Sequence, residues 1–167
     1  MNKTELNKEL SGETLRAADK RLLVVAHRGC SGRAPENTVA AFEMALEFGA
    51  DMIECDVRLT KDDEVVVFHD RTLNRTTDGG GPVEERTLED LKKLDAGSWF
   101  SRRFSGERIP TLNEVLCLLE GRAFLNIELK ADSRKRRSHV LLEERVLQAV
   151  KSTKRNDGFS SVPSITD

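Results

Sequence analysis

Glu54 and Asp56 stand two residues apart in a run whose other members, Met52, Ile53 and Val57, are apolar. Side chains alternate along a strand, so the two carboxylates project to one side and Cys55 to the other. Paired carboxylates repel unless a cation or protons lie between them, and a divalent cation is the economical answer. Without one, removing a charge by Asp56→Asn is expected to stabilise the chain. Two further apolar runs end in polar pairs: Val24-Val25-Ala26 in His27-Arg28-Gly29, and Val65-Val66-Val67-Phe68 in His69-Asp70.

The elements around these residues must bring them together. Only Lys61 to Glu64 separates Leu59-Thr60 from Val65, too short a link for a helical crossover, so a hairpin is expected. A two-residue turn at Asp62-Asp63 pairs Lys61 with Glu64 and sets Asp56 opposite His69. Leu22 to Ala26 reads as a strand covered on both faces in a parallel sheet. The loop from Gly29 to Glu36 follows, then Asn37 or Thr38 as helix cap, an apolar stripe of Val39, Phe42, Ala45 and Leu46, and Gly49 as the stop. This is a βαβ unit whose loop lies on the side where such proteins place their chemistry, which puts Glu36 near the site.

Later, Thr111 and Glu114 form a capping box for a helix using Leu112, Val115, Leu116 and Leu119. A strand from Ala123 to Lys130 then presents Phe124, Asn126, Glu128 and Lys130 on one face. Between the hairpin and that helix, residues 71–109 are rich in turns, with Thr87 capping a short helix of Leu88, Leu91 and Leu94. The stretch reads as an insertion, either a lid over the site or a structural excursion. A further helix is expected from about Val140 to Lys151.

With 167 residues, 38% hydrophobic and 34% charged, the composition is that of a soluble globular domain. A net charge of −2 gives no reason to expect nucleic acid, and no apolar run approaches the ~18 residues of a membrane span. Residues 1–20 read as a polar lead with no apolar signal segment, 21–157 as the folded α/β unit, and 158–167 as a polar tail, so the cytoplasm is the default expectation for location. Arg134 to Arg137 read as a solvated basic loop. Cys30, Cys55 and Cys117 have neither disulfide nor zinc spacing and are expected to be buried or half-buried thiols.

A resemblance now rests on many points: His27-Arg28-Gly29, Pro35-Glu36-Asn37-Thr38, Ala41-Phe42, Gly49-Ala50-Asp51, Ile53-Glu54-Cys55-Asp56-Val57, Thr60-Lys61-Asp62, His69-Asp70, Ile109-Pro110-Thr111-Leu112 and Asn126-Ile127-Glu128-Leu129-Lys130. Over about residues 22–130 the sequence resembles the glycerophosphodiester phosphodiesterase family. The alternation of elements and the resemblance both imply an α/β fold, a TIM-like (β/α) barrel. Such barrels take ~250 residues and eight strands, whereas about four strand-like runs are found here. An incomplete barrel is therefore expected, either truncated or completed by self-association through an open sheet edge.

By the resemblance, Glu54, Asp56 and Glu128 hold the metal, and hard oxygen ligands without cysteine point to Mg2+ or Ca2+ rather than zinc. His27 and His69 share general acid and base work, Arg28 and Lys130 bind phosphate oxygens, and Glu36 supports the site. The implied reaction is hydrolysis of a small-molecule glycerophosphodiester to sn-glycerol 3-phosphate and an alcohol. A phospholipase-like phosphodiesterase on the same fold and an inactive homologue remain as alternatives.

Overall fold

A computed structural model describes residues 22–130 and 136–156. The polar lead, Arg134 and Lys135 of the basic stretch and the polar tail lie outside the described residues, whereas Arg136 and Arg137 open the last helix instead of belonging to a loop. In chain order the main elements are β1 (Val25–His27), α1 (Val39–Glu47), β2 (Met52–Leu59), β3 (Val65–Val67), α2 (Leu88–Leu91), α3 (Leu112–Leu119), β4 (Phe124–Leu129) and α4 (Arg136–Asn156). The four strands form one sheet with β2 at its centre. On one side β2 pairs in parallel with β4 along Met52 to Val57; on the other it pairs in parallel with β1 and then antiparallel with β3.

Strand alternation explains the two faces. Ile53, Cys55 and Val57 of β2 point into the main core, with Phe42 and Ala45 of α1, Leu112, Val115 and Leu119 of α3, and Leu142 and Val146 of α4. Each large apolar side chain so buried is worth about 1.5 to 3 kcal/mol, enough to fix which face of β2 turns inward. Glu54, Asp56 and Arg58 are thereby sent to the opposite face. A second core joins Val66 and Phe68 to Leu73, Val83, Leu91, Ala96 and Ile109 of the turn-rich stretch. β3 is thus buried on both faces.

The caps behave as local chemistry dictates. Thr38, not Asn37, caps α1, its hydroxyl accepting from Ala41 N at 3.3 Å, and Gly49 follows the helix with φ 75°. Thr87 caps α2, and Thr111 and Glu114 complete their reciprocal box at α3.

Four expectations need correction. The hairpin loop has three residues rather than two: Thr60 N donates to Glu64 O at 2.9 Å, and Asp63 takes the left-handed conformation, φ 61°. This is the geometry of a type I turn followed by a left-handed residue, and it shifts the register by one. Val57 now faces Val67, Phe68 N bonds Asp56 O at 2.8 Å, and His69 stands past the end of the ladder instead of opposite Asp56. Second, β1 is not covered on both faces. Among the described residues it has β2 alone beside it, so Leu22 to Val25 are exposed, Leu22 to 88%. Third, Cys55 is buried and Cys30 half-buried, but Cys117 is exposed on α3. Fourth, the last helix is longer than its apolar stripe, reaching from Arg136 to Asn156.

Candidate active site

The parallel register of β2 and β4 sets Asp56 opposite Glu128, and that of β1 and β2 sets His27 opposite Glu54. Oxygens of Glu54, Asp56 and Glu128 consequently lie within 4.8 Å of one another. Oxygens sharing one cation at bond lengths of ~2.3 to 2.6 Å have this spread. Glu54 and Asp56 are buried and Glu128 is exposed, so the cluster opens outward past β4.

The polar surroundings are asymmetric. Glu54 Oε2 accepts from the backbone N of Arg28 at 3.0 Å, with His27 Nε2 at 3.8 Å. Asp56 Oδ2 accepts from Asn37 Nδ2 at 2.8 Å, and Arg28 Nε lies 3.2 Å from the same oxygen. Lys130 Nζ stands 3.3 Å from Asp56 Oδ1 and also pairs with Glu128. Burial works against its charge, yet the carboxylates of Glu128 and Asp56 raise its pKa. Even so, Glu54 Oε1 and Asp56 Oδ1 are buried without a hydrogen bond. The orphaned Glu54 oxygen inside a three-carboxylate cluster fits a hard divalent cation.

The carboxylates do not simply repel. Arg28 and Lys130 stand beside Asp56 at 3.2 and 3.3 Å, attractions that oppose the repulsion expected between the carboxylates. The burial that creates the cluster also pushes the Cys55 thiol up, out of reach of nucleophilic use at neutral pH.

A second set of contacts runs along the rim. Arg28 NH1 donates to Glu36 at 3.0 Å, and Arg75 grips Glu36 at 2.7 and 2.9 Å. The same guanidinium grips Asp70 at 2.7 and 3.0 Å, and Asp70 meets His69 Nδ1 at 2.7 Å. Arg58 holds the backbone there, donating to His69 O at 2.7 and 2.9 Å and to Lys130 O at 3.0 Å. Glu36 therefore touches the two arginines and is no member of the carboxylate cluster. His69 is linked to Arg28 through this chain of contacts rather than through the sheet ladder. His27 is the most open member, its side chain 66% exposed.

The profile of the Glycerophosphoryl diester phosphodiesterase family matches residues 27–160. The chain belongs to that family. It is 52% identical over 136 residues to a glycerophosphodiester phosphodiesterase of Caldanaerobacter subterraneus, covering 78% of this chain and 53% of the relative. A Bacillus subtilis glycerophosphodiester phosphodiesterase is 41% identical over 142 residues, 80% of this chain and 47% of the relative. Among solved structures, the glycerophosphodiester phosphodiesterase of Agrobacterium tumefaciens superposes with a TM-score of 0.70 at 42% identity, covering 80% of this chain and 54% of that one. A phosphodiesterase of Oleispira antarctica, in complex with the product sn-glycerol-3-phosphate, gives 0.70 at 38% identity over 85% of this chain and 55% of that one. The chain spans about half the length of the relatives it matches, and its four-stranded open sheet is an incomplete TIM-like barrel. Among the described residues no helix is long and apolar enough to cross a membrane.

Within this family frame, sequence reasoning passed over Asn37, Arg58, Asp70 and Arg75. Asn37 and Arg28 are left-handed, φ 58° and 57°, and Asn37 N donates to Arg28 O at 3.1 Å. Non-glycine residues held there at a site are a strain that the surroundings must maintain. Here Gly29 helps: with φ 78°, a Cβ on it would lie 2.7 Å from the Ala41 backbone, so only glycine lets the loop sit down on α1. The adjacent Asn37-Thr38 pair was the available signal: once Thr38 serves the helix, Asn37 is free to serve Asp56.

Proposed function

We propose that this chain carries the divalent-cation site and acid–base groups of an enzyme that hydrolyses glycerophosphodiesters to sn-glycerol 3-phosphate and an alcohol. The observation that carries the reading is Glu54 Oε1, buried without a hydrogen bond, within a three-carboxylate cluster whose Asp56 Oδ1 has the Lys130 ammonium at 3.3 Å. Glu54, Asp56 and Glu128 would hold Mg2+ or Ca2+, which supplies charge neutralisation on the phosphate's non-bridging oxygens.

The remaining steps belong to side chains on the rim. Arg28 and Lys130 are the cations beside the cluster and attract the phosphate oxygens. Asp70 accepts at His69 Nδ1, which leaves Nε2 as the atom of that ring that moves a proton. His27, at the open side, shares the acid and base work, so that one histidine serves the nucleophile and the other the departing alkoxide. The product complex of the Oleispira relative supports sn-glycerol 3-phosphate as one product.

The test is release of sn-glycerol 3-phosphate from aqueous glycerophosphocholine by the 167-residue chain, with Mg2+ or Ca2+ and again with chelator. Cation-dependent release supports the reading. Turnover of phospholipid micelles but not of the aqueous diester would assign the phospholipase-like alternative, and no turnover of either with cation bound would remove the enzymatic reading.

A further inference from the structure

We infer that Arg75 is a positioning residue that fixes His69 and Arg28 together, through Asp70 on one side and Glu36 on the other. Its guanidinium makes two hydrogen bonds to each carboxylate, at 2.7 and 3.0 Å to Asp70 and at 2.7 and 2.9 Å to Glu36. Planar paired donors of this kind fix direction as well as distance, which a lysine ammonium cannot do. Beyond Asp70 lies His69 Nδ1 at 2.7 Å, and beyond Glu36 lies Arg28 NH1 at 3.0 Å. One side chain thus spans the loop after β1 and the segment after β3.

Its placement comes from the turn-rich stretch. Arg75 ends a short 3-10 turn, Leu73 to Arg75, whose Leu73 is buried in the second core. The backbone there is pinned by Leu73 N to Gly81 O at 3.0 Å and by the Thr77 hydroxyl to Leu73 O at 2.7 Å. The stretch supplies the site with a specific side chain held on a rigid base.

Stabilisation alone does not account for the paired geometry. Glu36 and Asp70 are 15% and 25% exposed beside the half-exposed Arg75, so the contacts add to folding, but a stabilising pair needs neither carboxylate to be gripped at both oxygens. What they do determine is chemistry. Asp70 is an ionised carboxylate at neutral pH and can only accept, and the two Arg75 hydrogen bonds fix where its oxygens face. His69 must then carry its proton on Nδ1 and leave Nε2 bare, the form a general base requires.

The inference rests on the hydrolase reading, and the experiment separates the two. Nitrogen-15 NMR of the His69 ring, at a pH where it is neutral, is recorded for wild type, Arg75→Gln and Arg75→Lys, with Ca2+ and Mg2+ titrations and turnover of glycerophosphocholine. Wild type should show the Nδ1–H form alone. Arg75→Gln should show a mixture with the Nε2–H form and lose about 10- to 100-fold in kcat, while cation affinity stays within about twofold. Arg75→Lys, which keeps the charge and stem, should fall between and decides the matter if the glutamine variant fails to fold. An unchanged His69 spectrum in the folded variants, or loss of cation binding in step with kcat, overturns the role given to Arg75. An inactive wild type whose His69 spectrum responds to Arg75 overturns the hydrolase reading and leaves the positioning role standing.

Discussion

Asp56 and Glu128 are direct partners across the parallel β2–β4 register, although 72 positions separate them in the chain, the same interval spanned by the Arg58 to Lys130 bond that closes the strand ends. That pairing turns two carboxylates two residues apart into a cluster of three. Because Asp56 is fully buried and Glu128 exposed, the cluster has a closed floor and an open mouth.

The floor is compensated, and Asp56→Asn tests how. Arg28, Lys130 and Asn37 all address Asp56, so removing its charge takes one carboxylate from each of two cations, leaving Arg28 with Glu36 and Lys130 with Glu128. The metal-free variant should be less stable than wild type, on the order of 1 to 3 kcal/mol by urea denaturation in chelator. A more stable variant would mean that repulsion between Glu54 and Asp56 dominates after all.

Asn37 should reveal its backbone and its amide separately. At φ 58° an alanine pays the left-handed penalty of roughly 1 kcal/mol or more, which glycine avoids. Asn37→Ala should therefore be less stable than Asn37→Gly by about that amount, while both lose the hydrogen bonds to Asp56 and bind cation more weakly. Equal stability of the two would show that the conformation carries no strain.

Much of this site was legible in the sequence, for reasons that mark where legibility stops. The period of two placed Glu54 with Asp56 and Glu128 with Lys130, because burying Ile53, Val57, Ile127 and Leu129 inward leaves those side chains no other face. The hairpin register was missed by one, because it turns on Asp63 adopting a left-handed conformation that Asp tolerates and no neighbour announces. Arg75 had no signature at all: its position follows from Leu73 entering a second core assembled from residues 66 to 109, which no local periodicity reports.

Acid stability should depend on Arg75. Its hydrogen bonds are the largest influence lowering the pKa values of both Asp70 and Glu36. Groups lowered on folding stabilise the protein above their unfolded values, ~3.9 for Asp and ~4.3 for Glu, and lose that contribution as pH falls through the folded ones. The stability gap between wild type and Arg75→Gln should accordingly be widest above about pH 4.3 and shrink below it. Urea midpoints at pH 7, 4 and 3 measure this; a gap that stays constant across the three would contradict it.

The most direct test of the central claim is cation-linked stability. A ligand that binds only the folded chain at 100 times its Kd stabilises it by about 2.7 kcal/mol. Thermal and urea unfolding of wild type, Glu54→Gln and Glu128→Gln, with and without saturating Ca2+ or Mg2+, should show that increment in wild type and its loss in both variants. Unfolding of the wild type that is indifferent to both cations across that range would contradict the claim, and would make Glu54, Asp56 and Glu128 ion-pair partners of Arg28 and Lys130 rather than ligands.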